Sequence, residues 1–156
     1  MRISPTDFHA AAAENRSMQL RRLLQMPSAA VVGQYPGVLI VEDEFALRRL
    51  MSMLLQDEGF TVRTAGNGIE GLAQLALRPA DLLLVDLMMP GMNGRDFLME
   101  ARRTGHDTPA IMVSASAEAE QVAGELGCAG FMPKPYDFNL LVTEMRRVLQ
   151  RAKTPV

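Results

Sequence analysis

The stretch Val38-Leu-Ile-Val-Glu-Asp-Glu44 passes from four apolar residues straight into three acids. A continuous apolar run of this length suits a strand covered on both faces, as strands of parallel sheets are. Acids crowded at its end add nothing to a core, so the chemistry of the chain should be sought there. Residues 82–85 and 110–113 form two more such runs, and the mixed segments 60–65 and 130–132 suit edge strands. Between them, Leu47, Leu50, Met51, Leu54 and Leu55 make a one-sided helical stripe, which Ile69, Leu72, Ala73 and Ala76 repeat. Further helices are predicted at 94–103, 117–126 and 137–151, the last marked by Leu141, Met145 and Val148. Strand-helix alternation with right-handed crossovers gives an α/β fold with a doubly wound five-stranded parallel sheet. Its ligand site lies beyond the carboxyl ends of the strands.

With 156 residues the chain has room for one domain with a full core and a short appendage. Basic and acidic side chains nearly balance, 16 against 18, which argues against nucleic acid or membrane as the main partner. A single cysteine, Cys128, excludes an internal disulfide and a cysteine-built metal cage, and a cytoplasmic location is expected. No apolar stretch has the length of a signal peptide or a membrane span. Residues 1–36 read as a mildly basic, helix-favouring extension, with 27–37 as linker, and the domain proper as 37–156. The extension could dock a partner, mediate dimerisation, or reflect a true start at Met18 or Met26.

Parallel strands deliver their carboxyl ends to one edge. That edge receives Glu42 and Asp43 after the first strand, Asp86 after the third, Ser114 after the fourth and Lys134 after the fifth. Three carboxylates gathered there repel one another unless a cation joins them, and a hard divalent ion, Mg²⁺, is the natural one. Each residue also has a plainer role. Asp43 or Glu44 could start a helix, Asp86 could be a turn residue, and Lys134 a surface lysine held extended by Pro133 and Pro135. The conjunction of four strand ends, each with a residue of phosphate chemistry, favours function.

The order Glu42-Asp43, Asp86 followed by Pro90-Gly91 and Gly94, Ser114-Ala115 and Lys134-Pro135 closely resembles the receiver domain of bacterial two-component response regulators, over residues 38–150. The resemblance implies the flavodoxin-like strand order 2-1-3-4-5 and a cis bond between Lys134 and Pro135. It further implies that Asp86 accepts a phosphoryl group from a histidine kinase or histidine phosphotransfer protein. Mg²⁺ would be held by Asp43, Asp86 and the Met88 backbone carbonyl, with Glu42 acting through a metal-bound water. Lys134 and Ser114 would contact phosphoryl oxygens. Phe131 would be the switch aromatic, although a constitutively packed edge-strand Phe is the plain alternative. One departure is the 20-position step from Ser114 to Lys134, shorter than in chemotaxis-type receivers, so the fourth helix or its entry loop should be reduced.

The expected function is a stand-alone response regulator, not an enzyme beyond self-phosphorylation from donors and slow autodephosphorylation, signalling to a protein target left unidentified. A Mg²⁺-dependent phosphatase of the haloacid dehalogenase type would want a second acid at position 88, which is Met. A pseudo-receiver that is never phosphorylated is the other alternative, although every chemical position is filled. DNA is not expected as a partner, because few residues follow the last helix and the leader is short and weakly basic.

Overall fold

The computed structural model describes residues 35–154. The extension expected at 1–36 therefore lies, but for its last two residues, outside the described part. The strands are β1 (Gly37–Val41), β2 (Thr61–Ala65), β3 (Leu82–Asp86), β4 (Ala110–Ser114) and β5 (Gly130–Pro133). Each is followed by a helix: α1 (Phe45–Asp57), α2 (Gly68–Leu77), α3 (Gly94–Arg103), α4 (Ala119–Glu125) and α5 (Phe138–Lys153). All pairings are parallel, in the order β2-β1-β3-β4-β5. The fold is the expected doubly wound α/β sheet. α4 has only seven residues, which accounts for the short step from Ser114 to Lys134. Among the described residues, no helix is long and apolar enough to cross a membrane.

Side chains alternate between two cores, one on each side of the sheet. Leu39, Val41, Leu83, Val85, Ala110 and Met112 pack towards α2, α3 and α4, while Val38, Ile40, Leu82, Leu84, Ile111 and Val113 pack towards α1 and α5. The starts of α2, α3 and α5 are fixed by side chains. Asn67 accepts from the Glu70 amide, Asn93 from the Asp96 amide, and Asp137 from the amides of Asn139 and Leu140.

Two helical faces differ from the sequence stripes. On α1, Met51 and Leu55 enter the core, whereas Leu47, Leu50 and Leu54 wall an apolar groove of about 470 Å³ beside Lys134, Pro135 and Tyr136. On α2 the buried face is Gly68, Gly71 and Leu75, and Ile69 is 67% exposed. The reason is the close approach of α2 to Phe97. A Cβ on Gly71 would lie 2.7 Å from the Phe97 ring and 3.2 Å from Val41.

Gly71→Ala should consequently destabilise the fold, because the overpacking cost of about 1–3 kcal/mol exceeds the gain in helix propensity of about 1 kcal/mol. Gly124→Ala, in α4 where no neighbour lies within 4 Å, should instead stabilise it. Urea melts of both variants check this; a Gly71→Ala protein at least as stable as wild type would contradict the packing account.

Candidate functional site

The backbone brings the strand-end residues to one edge. Extending the alternation by one step places Glu42, Asp86 and Lys134 on the α1–α5 side, in line with Ile40, Leu84 and Met132. Ser114 continues the other set, after Met112, and Phe131 packs half-buried on that same side. The edge thus carries two groups: a charged trio on one side, and Ser114 with Phe131 on the other.

Asp86 is 7% exposed. Its Oδ1 accepts from the Met88 amide at 3.0 Å, which makes the turn foreseen for it, and its Oδ2 receives the Lys134 ammonium at 2.7 Å. The turn contact and the lysine contact therefore fall on different oxygens of one carboxylate. Glu42, 4% exposed, divides itself similarly, with Oε2 on Lys134 Nζ at 2.8 Å and Oε1 on the Glu44 amide at 3.1 Å. Lys134 is held by its own amide, which donates to the Ser114 carbonyl at 2.9 Å, and its peptide bond to Pro135 is cis, as the resemblance implied. The Ser114 hydroxyl, fully buried, accepts from the Ser116 amide at 3.2 Å. The Met88 side chain is exposed and its amide is the group engaged with Asp86.

Asp43 completes the cluster. One oxygen each from Glu42, Asp43 and Asp86 lie within 4.8 Å of one another. The helix-start role does not explain Asp43, because the N-cap of α1 is Glu44 and it makes no side-chain capping bond. The edge of α3 supports Asp86 from below. A Cβ on Gly94 would sit 2.3 Å from the Asp86 carbonyl oxygen, so only glycine permits α3 to begin this close, with its amide on the Leu87 carbonyl at 2.9 Å.

Electrostatics follow from the count of charges. Three carboxylates gather where one ammonium bridges two of them, and even with the Arg48 guanidinium on the adjoining backbone the cluster keeps an excess of negative charge, of the kind a divalent cation offsets. An all-oxygen donor set of this kind suits a hard ion. Burial pushes the Glu42 carboxyl above its ordinary value of 4.5, and the Asp86 charge adds to this; Lys134 and the Glu44 amide pull it back only in part. Burial alone would lower Lys134, but its hydrogen bonds to Asp86 and Glu42, with their charges, outweigh that and hold the ammonium above 10.5. One ammonium satisfies itself fully while the two acids share it. Cys128 belongs elsewhere, its thiol pushed up by burial.

Sequence reasoning did not single out Arg48. Its Nη1 donates to the carbonyl oxygens of Glu42 at 2.6 Å and Asp43 at 3.2 Å. Only its position one turn into α1 after the acids could have hinted at it.

The model of the response regulator receiver domain matches residues 38–146. The chain belongs to this family. It is a receiver domain of two-component signal transduction, and the phosphatase alternative is thereby set aside. The transcriptional regulatory protein CpxR of Klebsiella pneumoniae is 44% identical over 117 residues, 74% of this chain and 50% of that protein. The chemotaxis protein CheY4 of Vibrio cholerae has the same fold with a TM-score of 0.68 and 32% identity, over 73% of this chain and 98% of that one. The Thermotoga maritima response regulator TrrA, solved in complex with Mg²⁺ and BeF, matches with a TM-score of 0.66 and 27% identity, over 72% and 98% of the two chains.

One expectation is corrected by these relatives. DNA was excluded as a partner because little sequence follows the last helix. Yet a relative as similar as CpxR is named a transcriptional regulator, and the chain spans about half the length of the curated relatives it matches. Where this sequence stops therefore carries no information about nucleic acid, and the exclusion does not stand.

The raised Glu42 carboxyl has a consequence for stability without divalent ions. A carboxyl that holds its proton more tightly when folded contributes stability below pH 4.5, and this is lost as pH rises through its raised pKa. Glu42→Gln should therefore gain in melting temperature relative to wild type as pH climbs through that window, and hold its lead above it. Thermal melts in chelator from pH 4 to 8 check this. A lead that shrinks with rising pH would mean that the bond to Lys134 outweighs burial.

Proposed function

We propose that the chain receives a phosphoryl group on Asp86 from the phosphohistidine of a histidine kinase or phosphotransfer protein, and signals through the change this makes in the Ser114 loop. The observation that carries the proposal is the setting of Asp86. It ends β3 at the open edge of the sheet, backed by Gly94, with one oxygen on an amide and the other on the Lys134 ammonium.

Phosphoryl transfer needs positioning and charge neutralisation more than covalent help from the protein. Asp43, Asp86 and the Met88 carbonyl would hold Mg²⁺, with Glu42 acting through a bound water. When bound, the ion supplies positive charge that offsets the acids and the phosphoryl oxygens. A carboxylate oxygen of Asp86 attacks phosphorus, the bond to the donor imidazole breaks, and the imidazole leaves. Lys134, a mobile point charge on a flexible stem, follows the new negative charge onto a phosphoryl oxygen. The Ser114 hydroxyl donates to a second phosphoryl oxygen, drawing its loop inward, and the half-buried ring of Phe131 swings further into the sheet edge. A charge-assisted hydrogen bond of this type contributes about 1.5–3 kcal/mol, enough to shift a two-state ratio about ten- to a hundredfold. Slow loss of the aspartyl phosphate, a division into an N-terminal extension and linker at 1–36 and a receiver domain at 37–156, and a cytoplasmic location belong to the same proposal.

Acetyl phosphate with Mg²⁺ should give one acid-stable, base-labile adduct on the wild type and none on Asp86→Asn. Ser114→Ala should take the label but leave the amides of 114–120 and the Phe131 ring largely unshifted by beryllofluoride in NMR spectra. Labelling of Asp86→Asn at the wild-type rate would sink the acceptor assignment, and a full shift in Ser114→Ala would remove Ser114 from the switch.

A further inference from the structure

We infer that Arg48 is a positioning residue for the metal site, its guanidinium fixing the direction in which Asp43 presents its carboxylate. The inference rests on the proposed reading of Glu42, Asp43 and Asp86 as the acids of a divalent-ion site.

The backbone around Asp43 has few supports of its own. β1 ends at Val41, and the register with β3 ends there too, at Val41 opposite Val85. The ladder of α1 begins one residue beyond Asp43, where the Arg48 amide bonds the Glu44 carbonyl at 2.9 Å. Glu44 at the N-cap makes no side-chain bond to the first turn. The carbonyls of Glu42 and Asp43 thus fall between sheet and helix. Arg48 Nη1 reaches both, at 2.6 and 3.2 Å.

These two carbonyls are a particular pair. The first belongs to the peptide plane before the Asp43 Cα and the second to the plane after it. Holding both planes fixes φ and ψ of Asp43, and with them the direction of its Cβ. That matters for Asp43 more than for its fellow acids. Glu42 and Asp86 are buried and tied by Lys134 and by amides, whereas Asp43 is exposed and, among the described residues, its carboxylate has no hydrogen bond to aim it. Arg48 is itself braced. Its guanidinium lies 5.5 Å from the centre of the Phe45 ring, and its Nη1 would be 3.4 Å from a Cβ on Gly66, whose amide is held by Glu70 at 2.7 Å.

A positively charged guanidinium beside a cation site has two opposed effects. As a bare charge it repels a metal ion, so its removal would tighten binding. As the clamp on the Asp43 backbone it pre-aims a ligand, so its removal would weaken binding. The sign of the change separates the two roles. Outer partners that orient metal ligands change affinity about 10–100-fold when removed.

The test is calorimetric titration of Mg²⁺ into the full chain, as wild type, Arg48→Gln, Arg48→Lys and Arg49→Gln. The Arg49 variant removes the same charge from the next, exposed position. Arg48→Gln should raise the Mg²⁺ Kd at least about tenfold, while Arg49→Gln stays within about twofold of wild type. The maximal rate of labelling by acetyl phosphate at saturating Mg²⁺ should be restored in Arg48→Gln, since Arg48 touches none of the reacting atoms. A Kd unchanged or tighter in Arg48→Gln overturns the inference, as does a lower melting temperature with the Mg²⁺ dependence of labelling unmoved, which is the mark of a purely structural role. Should Arg48→Gln not fold, Arg48→Lys replaces it, with an ammonium in place of the guanidinium, and a wild-type Kd there also overturns it. A wild type that takes up no Mg²⁺ overturns the metal reading itself, irrespective of Arg48.

Discussion

Lys134 sets one ammonium between two buried carboxylates, 2.8 Å from Glu42 and 2.7 Å from Asp86, and the rest of the site depends on that bridge. Buried acids side by side are costly unless a positive charge joins them. The bridge spans strands far apart in sequence: β1, β3 and β5 each contribute one partner from their carboxyl ends. It therefore needs the sheet order, the parallel register and the fixed path of residues 133–135 together. One ammonium is nevertheless too little for three acids. The remaining excess of negative charge suits the site to a divalent cation, and in the proposed transfer a lysine already on Asp86 would follow the charge that arrives there.

The supports of the bridge are distributed over the surrounding loops. Gly94 lets α3 come against the peptide after Asp86, the Met88 amide takes the oxygen Lys134 does not, and the Ser114 carbonyl anchors the Lys134 amide. The last contact joins the charged trio to the side of the edge that bears Ser114 and Phe131. In the proposed switch, a change of charge at Asp86 would reach Ser114 through Lys134, which already touches both.

Much of this was legible in the residues. The continuous apolar runs at 38–41, 82–85 and 110–113 name the buried strands, and side-chain alternation along β1, β3 and β5 puts Glu42, Asp86 and Lys134 on one side. The four strand ends follow from parallelism alone. What stayed hidden has physical reasons. The buried face of α2 is built on Gly68 and Gly71, which carry no apolar side chain for a periodicity to detect, so the stripe led by Ile69 pointed to the wrong face. Arg48 acts on backbone carbonyls, and backbone groups are the same at every position of a sequence. The exclusion of DNA failed for another reason: it took the end of a sequence for the end of a protein's functions.

The central claim is that Asp86, and no other acid of the cluster, carries the phosphoryl group. Borohydride reduction of the phosphorylated full chain, followed by peptide mass spectrometry, tests it directly, because an aspartyl phosphate is reduced to homoserine while free carboxylates are untouched. The account predicts homoserine at position 86 and unmodified acids at 42 and 43. Homoserine at position 43, or an adduct that resists reduction, would contradict it.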